Sequence, residues 1–300
     1  MKRIYIIIVL LAATQVYGQQ DPQYTQYMYN MNVLNPAYAG SRDGLSFGLL
    51  YRSQWAGIDG APQTGTFFGH SPIGEKVGLG ISVITDQVGP VRETNAYADF
   101  SYTLRLGQNH NLAFGVKAGA TFHDIGLAAI DLIDAGDVFF QDINTTTPNI
   151  GAGVFYYTDN YYFGASVPNI LNSVHLDADG NNLGSEEQHY FLTGGYVFQL
   201  SQNTKLKPSF LVKSAFGAPV SFDANINALF YEKFEIGASY RLDDSFSGLI
   251  NIMITPDLRI GYAYDAVTSD IREFAPASHE VMILFDLNFP KKVSRSPRFF

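Results

Sequence analysis

Apolar and polar residues alternate along several stretches of this chain, and no other feature constrains the fold as strongly. In residues 220–230 every second side chain is apolar, and the positions between them include Ser221, Asp223, Asn225 and Asn227. A two-residue period indicates a β-strand with one apolar and one polar face. Each stretch is about ten residues long, which is the length that a tilted strand needs to cross a bilayer. The pattern favours an all-β fold, a transmembrane antiparallel β-barrel.

The composition agrees with a barrel. Apolar residues make up 46% of the chain and charged residues only 16%, whereas soluble domains carry about 25% charged residues. After residue 18 no apolar run has the length of a membrane-spanning helix. Low charge, many aromatic residues and no such run are typical of a barrel whose apolar residues are spread over alternating strands. A soluble all-β sandwich remains the alternative, because antiparallel sheets alternate in the same way.

The charge and the cysteine content exclude several functions. The formal net charge of −9 argues against nucleic-acid binding. The chain has no cysteine, so a disulfide framework, a thiolate nucleophile and a zinc–thiolate site are excluded together.

Four regions are predicted along the chain. Residues 1–18 begin with Lys2 and Arg3 and continue into a short apolar run, the pattern of a secretory signal peptide cleaved near Gly18. Residues 19–42 form an amino-terminal periplasmic or plug segment, residues 43–290 the barrel, and residues 291–300 a basic tail. Together with the barrel pattern, the signal peptide predicts a location in the outer membrane of the cell.

About fourteen strands can be placed by the two-residue period and by turn residues. They are predicted to start near Leu45, Gln63, Val77, Ala96, Leu112, Asn149, Tyr161, His189, Leu206, Val220, Phe234, Gly248, Leu258 and His279. Short connections are expected at Gly107–His110, Thr158–Asn160, Ser201–Thr204, Glu232–Lys233 and Thr255–Asp257. Long ones are expected at Trp55–Pro62, Asp86–Thr94, Asp124–Pro148, Pro168–Gln188 and Ala266–Ser278. Since barrels keep short turns on the periplasmic side, this alternation predicts that both termini face the periplasm.

Polar residues on the predicted inner face carry charges of both signs. The lumen candidates are Asp99, Lys117, Asp223, Asn225, Arg241, Asp265 and Glu280. Mixed signs favour ion pairs that hold a polar lumen together, and a selective pore is the functional alternative.

No catalytic residue, metal site or cofactor is predicted. The six histidines lie in different strands or loops, and neither a G-x-S-x-G nor an H-E-x-x-H pattern accompanies any of them. An outer-membrane hydrolase is therefore the weakest of the functional alternatives.

Several short motifs together resemble a known family. The chain opens with QDPQYTQYM at Gln20–Met28 and NPAYAG at Asn35–Gly40, followed by Gln54-Trp55 and GIDGAP at Gly57–Pro62. Further matching motifs are Ser71-Pro72, Pro168-Asn169, Gly217–Val220, Ser239–Arg241, Gly261-Tyr262, Tyr264-Asp265 and Ser278–Glu280. The combination is similar to the PorP/SprF family of type IX secretion membrane proteins and spans Gln19 to Pro290.

The resemblance implies a non-enzymatic outer-membrane barrel of Bacteroidota that assists type IX secretion, in some members with gliding motility. Such a protein helps to export or retain a secreted adhesin through the adhesin's C-terminal domain. Its implied partners are outer-membrane lipid, other secretion components and a periplasmic peptidoglycan-binding lipoprotein. A general porin or solute channel remains the alternative, because it shares every fold-level feature.

Two further sets of residues are singled out, one as a candidate for partner binding or plugging and one as a loop motif. The amino-terminal set, expected to act as a plug or a docking segment, contains Asp21, Pro22, Tyr24, Gln26, Tyr27, Asn35, Pro36, Tyr38 and Gly40. Tyr24, Tyr27 and Met31 recur at steps of three and four residues, which predicts a short helix or turn that Asn35-Pro36 ends. The second set lies in a predicted extracellular loop and contains Trp55, Gly57, Asp59 and Pro62.

Overall fold

The computed structural model describes residues 22–126, 143–171, 174–178, 181–185, 188–216 and 218–288. The predicted signal peptide, Asp21 and the basic tail at 291–300 lie outside these ranges. In the described part of the chain no helix is long and apolar enough to cross a membrane.

Strands make up most of the described chain. The first seven are β1 Gly44–Ser53, β2 Gln63–Pro72, β3 Val77–Val88, β4 Val91–Arg105, β5 Asn111–Ile125, β6 Ile143–Tyr157 and β7 Tyr161–Val167. The next five are β8 Val174–Ala178, β9 Asn181–Ser185, β10 His189–Tyr196, β11 Phe198–Ser201 and β12 Thr204–Ala215. The last five are β13 Ser221–Phe230, β14 Phe234–Arg241, β15 Ser245–Met253, β16 Leu258–Val267 and β17 Ala277–Asn288.

Fourteen of these strands close into one antiparallel barrel. Neighbours in sequence pair throughout, β10 pairs with both β7 and β12, and β1 pairs with β17 to close the sheet. The short β11 continues the line of β10 along β12, and β8 and β9 form a separate hairpin. The predicted barrel of about fourteen strands is confirmed.

The two faces of the strands differ in the way that the alternation predicts. On β13 the backbone turns Phe222, Ala224 and Ile226 outward, while Asp223 and Asn225 are no more than 5% exposed. Leu49, Ile81 and Val116 are more than half exposed on other strands of the same outer surface. This continuous apolar belt suits contact with lipid, because water-soluble proteins rarely expose so large an apolar surface.

The two ends of the barrel are distinguished by their connections. The short-turn end carries the turns at residues 73–76, 106–110, 158–160, 202–203, 231–233 and 254–257. The long-loop end carries the connections 54–62, 89–90, 126–142, 168–188, 216–220, 242–244 and 268–276. A 3-10 helix at Asp270–Glu273 lies in the last of these. β1 begins and β17 ends at the short-turn end.

Two of the predicted long loops are wrong in extent. β3 and β4 pair up to Val88 and Val91, so the expected loop at Asp86–Thr94 is only a turn at Gly89-Pro90. Similarly, β5 runs to Ile125 and β6 begins at Ile143. Polar residues in these parts suggest a loop in the sequence, but the strands continue beyond their apolar portion as a paired sheet.

Candidate functional site

The lumen of the barrel is filled by the chain's own residues 22–40, called here the luminal segment. Every residue from Tyr24 to Ala39 is buried. The segment contains a 3-10 helix at Tyr27–Tyr29, an α-helical turn at Met31–Leu34 and a second 3-10 helix at Pro36–Tyr38. The helical turn ends before Asn35-Pro36, as predicted, and all four of its residues are buried.

The luminal segment passes along the lumen three times. Thr25 contacts residues near the long-loop end, Tyr29 contacts residues near the short-turn end, and Leu34 returns to Ser166, one residue before the long-loop end of β7. The chain then descends to Gly40 and enters β1 at the short-turn end. Pro22 and Gln23 therefore lie at the long-loop end, opposite to the periplasmic position that the sequence predicted for the amino terminus.

An ion-paired cluster holds the segment near the long-loop end. Arg52 lies 2.7 Å from Asp265 and 3.2 Å from Glu280, and all three side chains are at most 2% exposed. The backbone N–H groups of Thr25 and Gln26 donate to the two Glu280 carboxylate oxygens at 2.9 and 2.8 Å. The Thr25 hydroxyl donates to Asp265 and accepts a 3.0 Å hydrogen bond from Arg52. The charges in the wall thus satisfy the backbone of the segment as well as each other.

Arg241 forms a second contact at this end. Its guanidinium donates to both oxygens of Asp223, at 2.8 and 3.0 Å. It also donates to the Gln23 side chain at 3.1 Å and to the Tyr24 carbonyl at 3.3 Å. The planar guanidinium can serve all these acceptors at once, so Arg241 fixes the first residues of the segment to the wall.

Tyr29 is the anchor at the short-turn end. Its hydroxyl donates to Glu235 and accepts a 3.1 Å hydrogen bond from Asn251. Lys207 and Arg259 both lie 5.6 Å from the centre of its ring, within the range of a cation–π contact.

The middle of the lumen contains a lysine that recognises backbone carbonyls. Lys117 lies 3.4 Å from Asp99, and it donates to the carbonyls of Asn32 at 3.3 Å and Val33 at 2.9 Å. Carbonyls near the end of a short helical turn are left without intrahelical partners, and Lys117 satisfies two of them.

Tyr27 makes a neutral contact at the same depth. Its hydroxyl donates to Ser209 at 3.4 Å and accepts from Asn225 at 3.2 Å. Burial raises the pKa of the Tyr27 phenol well above its ordinary value. The phenol therefore keeps its proton and can donate and accept at the same time.

The Asn35–Gly40 stretch fits against glycines of the wall. The Asn35 side chain accepts from the Ala37 N–H at 2.9 Å and donates to the Val154 carbonyl at 3.0 Å. A Cβ at Gly115 would overlap Ala37, one at Gly153 would overlap Asn35, and one at Gly78 would overlap Ala39. Because these three glycines have no Cβ, they leave the space in which the segment lies.

Tyr38 and Gly40 complete this packing. The Tyr38 ring meets Phe155 and His70 edge-on, with centroids 5.3 Å apart in both pairs. The Gly40 N–H donates to His70 Nδ1 at 3.2 Å. Gly40 has a φ of +72°, which glycine adopts without strain, and this lets the chain turn into the barrel wall.

Comparisons with known proteins support the fold and decide the family. The CymD monoaromatic hydrocarbon channel matches with a TM-score of 0.56 and 11% identity, over 86% of this chain and 92% of that one. The TodX deltaS2S3 mutant, also a monoaromatic hydrocarbon channel, matches at 0.50 with 10% identity, over 87% and 94%. At such identities the likeness concerns the barrel alone. No curated protein sequence matches the chain. The profile of the family described as type IX secretion system membrane protein PorP/SprF matches residues 16–285.

The chain belongs to the PorP/SprF family.

The predicted site residues of this PorP/SprF protein fall into two places. All seven lumen candidates are buried, at 5% exposure or less. They surround the luminal segment, which contains all the amino-terminal candidates except Asp21, which is outside the described residues.

The predicted loop motif of this PorP/SprF protein lies apart from the lumen, after β1. Trp55 has a φ of +52°, and its N–H donates to Ser278 at 3.0 Å. Gly57 is at +104°, and Asp59 is exposed. Pro62 pairs through its carbonyl with the Gln54 N–H at 2.9 Å. The motif folds the loop back against β17. The hydrogen bonds of Trp55 and Pro62 described here do not involve the luminal segment.

Sequence reasoning missed several residues that hold the segment. Tyr29, Asn32, Ser101 and Ser166 were not among the candidates, although Ser101 donates to Ala39 and Ser166 to Leu34 at 2.5 and 2.7 Å. Glycines at inward positions of β5 and β6 were the available signal, because an empty position in the wall allows another backbone to approach.

No catalytic arrangement is evident in the described lumen. Within the described ranges no group of three or more His, Asp or Glu side chains could hold a metal ion. The ionised groups pair with each other or with the luminal segment, which is the arrangement of a structural interface.

Proposed function

We propose that this PorP/SprF protein is a plugged, non-enzymatic outer-membrane barrel that acts by binding. It assists type IX secretion by helping to export or surface-anchor a secreted partner protein through that protein's C-terminal domain. Other secretion components, including a periplasmic peptidoglycan-binding lipoprotein, complete the assembly, and lipid covers the apolar outer belt.

The observation that carries this proposal is the filled lumen. Tyr27, Asn30 and Asn32 in the segment are fully buried at 0% exposure. Residues at both ends and in the middle of the segment, such as Thr25, Tyr29 and Gly40, are hydrogen-bonded to the wall. A solute channel needs an open path through the lumen. A barrel occupied by its own chain is better suited to present a rigid surface than to conduct.

The proposal is tested by deleting the gene and comparing surface proteins by biotinylation of intact cells. We expect one or a few secreted proteins to disappear from the surface and to reappear when the gene is restored. An unchanged surface protein set would contradict the proposal.

A general porin is the second candidate, favoured by the fold shared with CymD. The purified full chain in planar bilayers separates the two. We expect closed membranes for the accessory barrel, whereas stable high conductance together with an unchanged surface protein set would favour the porin.

A further inference from the structure

Two clefts open at the long-loop end on either side of the start of the luminal segment. The larger has a cavity volume of about 60 Å³ and the smaller about 20 Å³. Pro22, Tyr24, Leu34 and Phe191 line both. We call the two clefts together the vestibule.

The vestibule is a blind site. Leu34 and Phe191, at 7% and 6% exposure, form its floor, and the filled lumen lies beneath. A ligand that enters from the long-loop end is therefore retained at the floor and not passed through the barrel.

The larger cleft combines an apolar floor with a polar edge. Val33, Leu34, Ile84 and Phe191 provide the floor, and Glu93 provides a carboxylate at the edge. Glu93 accepts a 2.7 Å hydrogen bond from Asn95 and lies 3.5 Å from His123, and its side chain is still 26% exposed. This edge suits a basic group on a ligand that also carries an apolar side chain.

The vestibule already holds one peptide. Pro22–Tyr24 adopt neither helix nor strand, and Arg241 binds them through the Gln23 side chain and the Tyr24 carbonyl. In the smaller cleft, Lys213 lies beside this peptide. The groups present are thus of the kind that bind an irregular or extended peptide.

We propose that the vestibule binds an extended peptide segment of the secreted partner, with an apolar side chain in the larger cleft and a basic residue beside Glu93. This rests on the proposed function and adds the place and chemistry of binding. It also requires Pro22 to face the same side of the membrane as the Trp55 loop.

Accessibility is tested first, with single cysteines, because the chain has none of its own. Pro22→Cys probes the vestibule, Asp59→Cys the long-loop end and Gln108→Cys the short-turn end. We expect a membrane-impermeant polyethylene glycol maleimide to label the first two in intact cells and the third only after permeabilisation. Labelling of Asp59→Cys without Pro22→Cys, or of Gln108→Cys alone, would overturn the proposal.

Binding is tested on the surface protein that disappears in the deletion strain. Ile84→Trp fills the larger cleft, and its matched control Ile81→Trp lies on the outer face, where Ile81 is 53% exposed. We expect surface display to fall about tenfold or more with Ile84→Trp, as for loss of a central binding contact, and to be unchanged with Ile81→Trp. Glu93→Gln should reduce display by a smaller factor.

The polymer on Pro22→Cys provides a second measurement that does not depend on refolding of a variant. Labelled cells should display no newly made partner. Cells labelled instead at Glu273→Cys, an exposed position in the long-loop connection 268–276, should display it normally. Normal display with both Ile84→Trp and labelled Pro22→Cys would overturn the vestibule proposal and leave the proposed function intact. If the gene deletion removes no surface protein, both proposals fail, and cysteine labelling still reports which end faces outward.

Discussion

At the scale of single residues, the lumen depends on buried charges that compensate each other. Arg52 serves Asp265, Glu280 and Thr25 together. A buried carboxylate that loses its cation keeps the desolvation cost and loses the attraction. Such a residue therefore stabilises the barrel mainly because it keeps a buried carboxylate from being left without a cation.

Arg52→Ala should consequently destabilise the folded barrel by about 3 to 5 kcal/mol, since it leaves two buried carboxylates without their cation. The measurement is urea unfolding in detergent, followed by heat-dependent migration on a gel. Arg105→Ala is the matched control. Arg105 pairs at 3.7 Å with Glu75, which is 81% exposed, so its loss should cost less than about 1 kcal/mol. Equal losses would contradict the assigned role of Arg52.

At the scale of elements, the luminal segment packs against strands β3, β5 and β6 at glycines, which have no side chain. Gly115 and Gly153 lie on neighbouring strands, where a Cβ would overlap Ala37 and Asn35. Glycine weakens a strand interior. Here the loss of strand stability at the glycines allows the luminal segment to pack closely against the strands.

Gly115→Val should displace the end of the luminal segment without opening the sheet, because valine itself favours strands. We expect increased conductance in planar bilayers together with retained heat-dependent migration. Gly248→Val is the control, since a Cβ at Gly248 meets no atom within 4 Å. Low conductance in both variants would mean that the segment tolerates the added side chain.

Removing most of the segment is the stronger form of the same perturbation. Deletion of Asp21–Met31 takes away the contacts of Thr25, Gln26, Tyr27 and Tyr29 but leaves every barrel strand. We expect a heat-modifiable barrel in the outer membrane, raised conductance and loss of partner display. Normal display would contradict the role of the segment in binding.

The sequence predicts the strands far better than the luminal segment. The predicted starts at Gln63, Val77, Tyr161, His189 and Phe234 coincide with the observed ones, because a two-residue period is a local property. The path of the segment depends on contacts such as Thr25 with Glu280, 255 positions apart. A single sequence contains no local signal for such pairs, so plug and docking segment could not be distinguished.

At the scale of the whole molecule, the barrel has an apolar outer face and an interior that is filled by the luminal segment. On the inner face, Asn225 donates a hydrogen bond to the Tyr27 hydroxyl and is only 5% exposed. A larger cation there must displace the luminal segment. The inner face is therefore as constrained as a protein core.

Two substitutions at neighbouring positions of β13 compare the outer face of the barrel with its inner face. Ala224→Arg on the outer face should cost about 2 to 4 kcal/mol if it lies near the middle of the bilayer. Asn225→Arg should instead raise conductance and weaken partner display, while the barrel still inserts. Unfolding in urea, bilayer conductance and surface biotinylation together separate the two effects. Raised conductance from Ala224→Arg alone would reverse the assignment of faces.

The closing pair of strands also sets the timing of assembly. Arg52 on β1 lies directly opposite Glu280 on β17, and Thr25 is bound by both. An open sheet, with its first and last strands apart, does not offer this binding site. The segment can form all of these bonds only after β1 and β17 have paired. Its first residues lie at the long-loop end, whereas β1 begins at the short-turn end, so the sheet has to close around the segment. A segment bound in this way therefore marks a barrel that has closed between β1 and β17, because an open sheet cannot hold Thr25 by all of these bonds.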